Sequence, residues 1–385
     1  MTAATAVNDR AATWTDRAAT IAMFAANGIG IGAWAASIPS IKLRYGLSDG
    51  SLSLVLLAFA IGAVLSMPVA GLLSQRLGSG HATRIASAGW AAALTLPFLA
   101  PGFAALMAAC FVLGGVSGGL DVSMNVHASS VERRWGAAIM SSFHACWSAA
   151  CLVAAGLAAI ILRANADPSF VMFGAAALAA LIAAASWAGL SGGEAAARSA
   201  SLMIPGRSAL PLCAAVLLAM LSEGAIADWS GVYFTTIVGV STSAAALGYA
   251  TFAGAMLAGR IIGDALVRLL GQAMILRTGG ALAAAGLLLA VVWPNQIACE
   301  IGLAMAGFGL ANIVPTLFSA GGRLGVSPAA GVAMAATAGY AGHLSGPPIM
   351  GAVATLAGLP NAMVVLALCA AGIAALAGAS VVRKG

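Results

Sequence analysis

Asp121 stands in the run Gly118-Gly119-Leu120-Asp121-Val122-Ser123-Met124-Asn125, at the end of a stretch from Pro101 that otherwise holds only apolar residues, Gly and Ser. Placing a carboxylate in such a stretch within a bilayer costs about 2.5–3.5 kcal/mol, so it needs a partner or a task. Asn125, four residues on, shares its helix face. A buried carboxyl that gains and loses a nearby counter-charge changes its hold on a proton, which is what proton coupling requires. A carboxylate that merely bonds a neighbouring helix would look the same, and the residues leave both readings open.

Other groups could join such a site. In Phe143-His144-x-x-Trp147-Ser148, His144 lies one turn from Trp147; imidazole shuttles protons or bonds a hydroxyl, and indole stacks on a ring. Packing inside a helix bundle explains the same pair. Glu223 and Asp228 are five apart, about 140° round a regular helix, with Glu223 deeper in its span and Asp228 toward the outer mouth beside Trp229 and Tyr233. Those two aromatics suit an interfacial anchor. Arg260 and Asp264, four apart, suggest an intrahelical ion pair near a gate, with Arg268 one turn beyond. The segments Asn27-Gly28-x-Gly30-x-Gly32-x-Trp34 and Gly339-Tyr340-x-Gly342-His343-x-x-Gly346-Pro347-Pro348 weaken their helices and belong against a cavity or close-packed helices. Asn27, Trp34, Asn125, Trp147, Asp228, Asn312, Tyr340 and His343 are therefore candidates for solute binding; Asp121, Glu223 and His144 are candidates for the proton path. His127 is read as structural and His81 as a loop residue.

The elements that must hold these groups are membrane helices. Of 385 residues, 62% are hydrophobic and 7% charged, and mean hydropathy is +1.02, which no water-soluble domain of this length matches. Charges, Pro and Gly divide the chain into twelve candidate spans near 18–40, 51–75, 82–100, 102–129, 137–162, 169–190, 209–238, 243–270, 273–293, 296–321, 328–357 and 359–382. The longest polar connection, 191–208, separates six spans (1–190) from six (209–385). With the N-terminus inside, Lys42, Arg44 and Arg163 fall outside and the other 14 of 17 basic residues fall inside. That bias puts both termini in the cytoplasm, and it accounts for the net charge of +6 without a nucleic-acid partner. The first span has no convincing cleavage site and reads as retained. The six cysteines lie in apolar runs and read as small core residues.

Gly71-x-x-x-Gln75-Arg76-x-Gly78 after the second span is echoed by Gly263-Asp264-x-x-x-Arg268-x-x-Gly271 after the eighth. The first resembles the Gly-x-x-x-Asp-Arg/Lys-x-Gly signature of the major facilitator superfamily, with Gly71, Arg76 and Gly78 matching and Gln75 replacing the acid. Asp121 to Asn125, Val131-Glu132-Arg133-Arg134, the His144 and Glu223 runs, Ala311-Asn312-x-x-Pro315 and the Tyr340–His343 run resemble a bacterial branch near the fucose-permease-like sugar transporters. The resemblance covers essentially the whole chain. It implies an all-α membrane protein of two pseudo-symmetric six-helix bundles, with gating residues at Gly71, Arg76, Gly78, Arg260, Asp264 and Arg268.

The expected function is alternating-access transport of a small polar organic solute across a bacterial inner membrane, with proton symport, by a monomer without cofactor or metal. A proton-driven exporter of amphipathic compounds would use the same carboxylates. A membrane-embedded enzyme is opposed by the lack of a nucleophile-elbow, phosphate-loop or metal-ligand motif. A sensor would bind solute without flux.

Overall fold

The computed structural model describes residues 12–137, 139–190, 206–324 and 328–381. Most of the central connection, the first eleven residues and the last four lie outside these, so the placing of both termini and of residues 191–205 has no structural counterpart here.

The helices are α1 (Trp14–Arg44), α2 (Asp49–Leu77), α3 (Ser79–Ala93), α4 (Leu96–Leu99), α5 (Phe103–Trp135), α6 (Met140–Arg163), α7 (Ser169–Ser186), α8 (Leu210–Tyr233), α9 (Thr242–Leu270), α10 (Gln272–Val292), α11 (Gln296–Leu310), α12 (Ile313–Gly321), α13 (Pro328–Ala357) and α14 (Leu359–Ser380). A 3-10 turn (Arg207–Ala209) leads into α8 and a π turn (Phe234–Val238) closes it. The pairs α3–α4 and α11–α12 each form one interrupted rod, so the fourteen helices make twelve rods, as expected. Among the described residues ten helical stretches are long and apolar enough to cross a membrane. The other two rods are the interrupted α3–α4 and α13, which carries Tyr340, His343, Ser345, Pro347 and Pro348.

Local chemistry sets the ends. Thr13 and Asp16 form a capping box on α1, with Asp16 N–H donating to Thr13 Oγ1 at 3.2 Å and Thr13 N–H to Asp16 Oδ2 at 2.8 Å. The echo between second and eighth spans has a structural form: α2 and α9 are each 29 residues long, and Ser48 and Ser241 cap them by accepting backbone N–H groups at 3.2 Å. Both end on a left-handed glycine, Gly78 (φ 84°) and Gly271 (φ 80°), where a Cβ would be strained. Ahead of α7, Ser169 holds the exposed Asp167 carboxyl below the usual carboxylate range by hydrogen bonding.

In the first half α1 packs on α6, α2 on α5, and α3 on α5 and α7; in the second α8 packs on α13 and α14, α9 on α11, and α10 on α11 and α14. The halves meet where α2 faces α13, α6 faces α9 and α1 faces α8. Several close joins lie at the end that holds Lys42, Arg44 and Arg163. Ser53 Oγ donates to the Pro347 carbonyl at 2.6 Å, and Ser243 Oγ to the Ala159 carbonyl at 2.8 Å. Gly351 sits so close that a Cβ would collide with Ser53, and one on Gly231 would lie 2.8 Å from Pro39 Cγ. The Asn27–Trp34 glycines serve close packing: Gly28 and Gly32 press on α6 backbone and Gly30 on the Trp90 ring.

Candidate functional site

Between the halves a belt of polar groups crosses six helices. It begins on α5, where Asp121 Oδ2 accepts from the Tyr340 hydroxyl of α13 at 3.3 Å, while Asn125 Nδ2 donates to Asp121 Oδ1 at 3.2 Å and to its carbonyl at 2.8 Å. One turn along α13 is His343, whose ring lies against Gly224 of α8; a Cβ there would be 2.6 Å from it. Glutamate 223, next to that glycine, lies within electrostatic reach of His343. Its Oε1 takes Arg260 Nη2 of α9 at 3.2 Å, and Arg260 Nη1 donates at 2.8 Å to Ser148 Oγ of α6 in the other half. Beside Ser148, Trp147 Nε1 donates to Asn27 Oδ1 of α1 at 2.7 Å.

The Arg260 and Glu223 side chains keep 19% and 26% of their surface exposed, and His144 and His343 are exposed although both stand among other helices. Part of the belt is therefore open between the helices rather than sealed among them. Toward the Lys42 end, Asp228 is half-buried near Tyr249, and among the described residues no hydrogen bond or counter-charge engages it. His144 meets Phe24 edge-on at 5.2 Å.

Asp121, Asn125, Glu223, Trp147, Asn27, Tyr340 and His343 thus come together, with His144 and Asp228 at the margins. Other expectations need correction. Arg260 does not pair with Asp264; it turns inward to Glu223 and Ser148, while Asp264 and Arg268 are exposed on α9. Trp34 is 3% exposed and stacks on Phe59 at 5.6 Å, so it is packing. Asn312 donates to the Gly259 carbonyl at 2.8 Å across the α11–α12 break, tying that rod to α9. Trp229 is wholly buried and Tyr233 donates to the Ala290 carbonyl at 3.0 Å, so neither anchors the span at a membrane interface. Of the signature residues, Gly78 needs its glycine for backbone geometry, Gly71 has open space around it, and Arg76 is exposed. Ser148 was visible only as a member of the His144 run, and its tie to Arg260 had no sequence signal.

The glutamate of Val131-Glu132-Arg133-Arg134 has a different use: Glu132 Oε2 accepts the backbone N–H groups of Ile139 and Met140 at 2.7 and 2.6 Å, capping α6 and fixing its angle to α5. His127 is buried on Ser79 at 3.2 Å, in keeping with a structural residue.

A polar belt that joins two six-rod halves suits a carrier, and residues 20–347 match the family model of the Major Facilitator Superfamily. The chain belongs to the major facilitator superfamily. It is a membrane transporter, not an enzyme. An uncharacterised MFS-type transporter of Yersinia pestis is 36% identical over 352 residues, 91% of this chain and 92% of that protein. Membrane protein MosC of Rhizobium meliloti is 32% identical over 349 residues, 88% and 84% of the two chains. Among solved structures, the nucleoside transporter NupG superposes with a TM-score of 0.74 at 15% identity, covering 95% of this chain and 98% of its own. The human organic anion transporter MFSD10 gives 0.69 at 16% identity, covering 94% and 99%. At these identities the structural likeness concerns the fold of this superfamily transporter alone.

Proposed function

We propose that this transporter carries a small polar organic solute together with a proton, by rocking residues 1–190 against 209–385 about the belt. The observation that carries the reading is the division of contacts between halves. Glu223 and Arg260 both belong to the second half, so their ion pair survives a rigid rocking. Tyr340–Asp121 and Arg260–Ser148 join opposite halves and must break when the halves part. Asp121 therefore has a different environment in each arrangement, which is the condition for coupling a proton to conformation.

The remaining groups fit solute recognition. Asn27, Trp147, His144 and His343 offer amide, indole and imidazole groups between the halves, and Asp228 offers a carboxyl with no partner among the described residues. Hydrogen-bonding and stacking groups of this kind suit a polyhydroxylated or heteroaromatic solute, consistent with the resemblance to sugar carriers and with a structural relative that transports nucleosides. The basic helix ends are assigned to the cytoplasm, with both termini there and the protein in the inner membrane of a bacterium. A proton carried inward then also gains from the membrane potential, about 2.3 kcal/mol per charge per 100 mV.

The test has two steps. Thermal stabilisation of the purified protein by sugars, nucleosides and organic acids identifies a solute. Uptake of that solute into proteoliposomes is then measured with and without an inward proton gradient. Asp121→Asn is expected to abolish the gradient's acceleration while solute counterflow persists; acceleration undiminished in Asp121→Asn would overturn the coupling assignment.

A further inference from the structure

Four helix ends meet at the basic end of the first half: the starts of α1 and α3, the end of α5 and the turn after α7, where Gly189 closes on the Thr15 carbonyl. Three guanidinium groups gather among them. Arg17 lies over the Trp14 and Trp135 rings at 5.3 and 5.1 Å, and Arg84 over Trp187 at 5.5 Å. Arg134 approaches Asp16 at 3.8 Å. The charges of Arg134, Asp16 and Arg84 all act on the His127 ring, which sets them round one point.

The donors there outnumber the acceptors. Asp16 is the one carboxylate among these groups, and its Oδ2 already accepts the Thr13 N–H and hydroxyl at 2.8 and 3.0 Å. Among the described residues, Arg17 Nε, Arg84 Nε, and Nε and Nη2 of Arg134 are buried with no hydrogen-bond partner, as is Nε2 of the fully buried His127. Buried polar groups are almost always satisfied, and a guanidinium left without an acceptor is among the costliest exceptions. Arg134 thus leaves two neighbouring N–H donors without an acceptor, a fork that an anionic group with several oxygens fits, and Arg17 and Arg84 leave one each.

We propose that this cluster binds the phosphodiester headgroup of an anionic phospholipid. Arginine presents its donors in a geometry that matches phosphate oxygens. The place suits a lipid better than a soluble anion: Trp14 is 72% and Trp187 45% exposed, aromatic rings of the kind that settle at headgroup depth. Basic pockets between membrane helices take up such headgroups. The site shares no residue with the polar belt, so it stands apart from the proton-coupling assignment.

The full chain is reconstituted in phosphatidylcholine vesicles and titrated with phosphatidylglycerol while thermal unfolding is followed. Phosphatidylglycerol is expected to raise Tm. In the double variant Arg84→Gln/Arg134→Gln the lipid needed for half the rise should increase about 25-fold, from about fivefold per arginine. Each protein is referred to its own Tm in phosphatidylcholine, which separates a folding defect from lost binding, and the exposed Arg207→Gln should respond like the parent. Equal responses from parent and double variant would overturn the site. A rise produced equally by inorganic phosphate in phosphatidylcholine vesicles would overturn the lipid assignment in favour of a soluble anion. A response that appears only after Asp9→Asn or Glu194→Gln would overturn it too, by showing that carboxylates of the chain itself fill the cluster.

Discussion

Ser148→Ala isolates one of the ties that rocking must break. The substitution removes the hydroxyl that accepts Arg260 Nη1 across the halves at 2.8 Å, yet leaves the Arg260–Glu223 ion pair and the helical backbone in place. A hydrogen bond to a charged group contributes about 1.5–3 kcal/mol. Arg260 keeps 19% of its side chain exposed, so water replaces part of that, and the lower figure, about 1.5 kcal/mol, applies. The arrangement with the Lys42 end closed should then lose about tenfold in population relative to its alternative. The assay is a spin-label distance between Arg163→Cys and Gln296→Cys, exposed residues of the two halves at the closed end, in a background without the six native cysteines. Ser148→Ala should shift the distribution toward longer distances. A distribution that superimposes on the parent would refute the claim that this bond holds the halves together.

Two further substitutions test the joints of the fold. Gly351→Ala places a methyl group against Ser53 at the closed end; overpacking of this kind costs about 1–3 kcal/mol and should open the same spin-label pair, whereas an unchanged distance would show that α2 and α13 yield without parting. Glu132→Ala removes the acceptor of two backbone N–H groups at the start of α6, a loss of about 0.5–2 kcal/mol that should lower Tm in detergent; an unchanged Tm would show that water replaces the cap.

The twelve rods were legible because the membrane demands long apolar runs, and Pro and Gly punctuate them; even the correspondence of α2 with α9 is written in Ser48 and Ser241 at one end and Gly78 and Gly271 at the other. Rotation about each helix axis was not legible. A soluble helix betrays its inner face by a polar outer one, but these rods are apolar toward lipid and toward one another, so Trp34 and Asn312 looked equivalent to Trp147 and Asn27. The structure turns the first pair into packing and the second into the belt. For the same reason the local spacing of Arg260 and Asp264 misled. The actual partners, Glu223 and Ser148, are 37 and 112 positions away, brought there by the way α8 and α6 are turned against α9.

That rotation also gives the two carboxylates partners on different halves, which is what the proposed coupling rests on. The sequence put the proton on Asp121, or on a network including Glu223 and His144, without deciding between them. With Arg260 on its own half, Glu223 keeps its counter-charge through a rigid rocking, and its hold on a proton has no reason to follow the conformation. Asp121 receives its cross-half hydrogen bond from Tyr340, so its surroundings change at the step that parts the halves. A carrier needs one group that stays neutralised, to keep an arginine between the halves at tolerable cost, and another whose environment alternates. Under the proposed coupling the two requirements fall on different residues, Glu223 and Asp121, because Arg260 shares the half of Glu223 while Tyr340 lies across from Asp121.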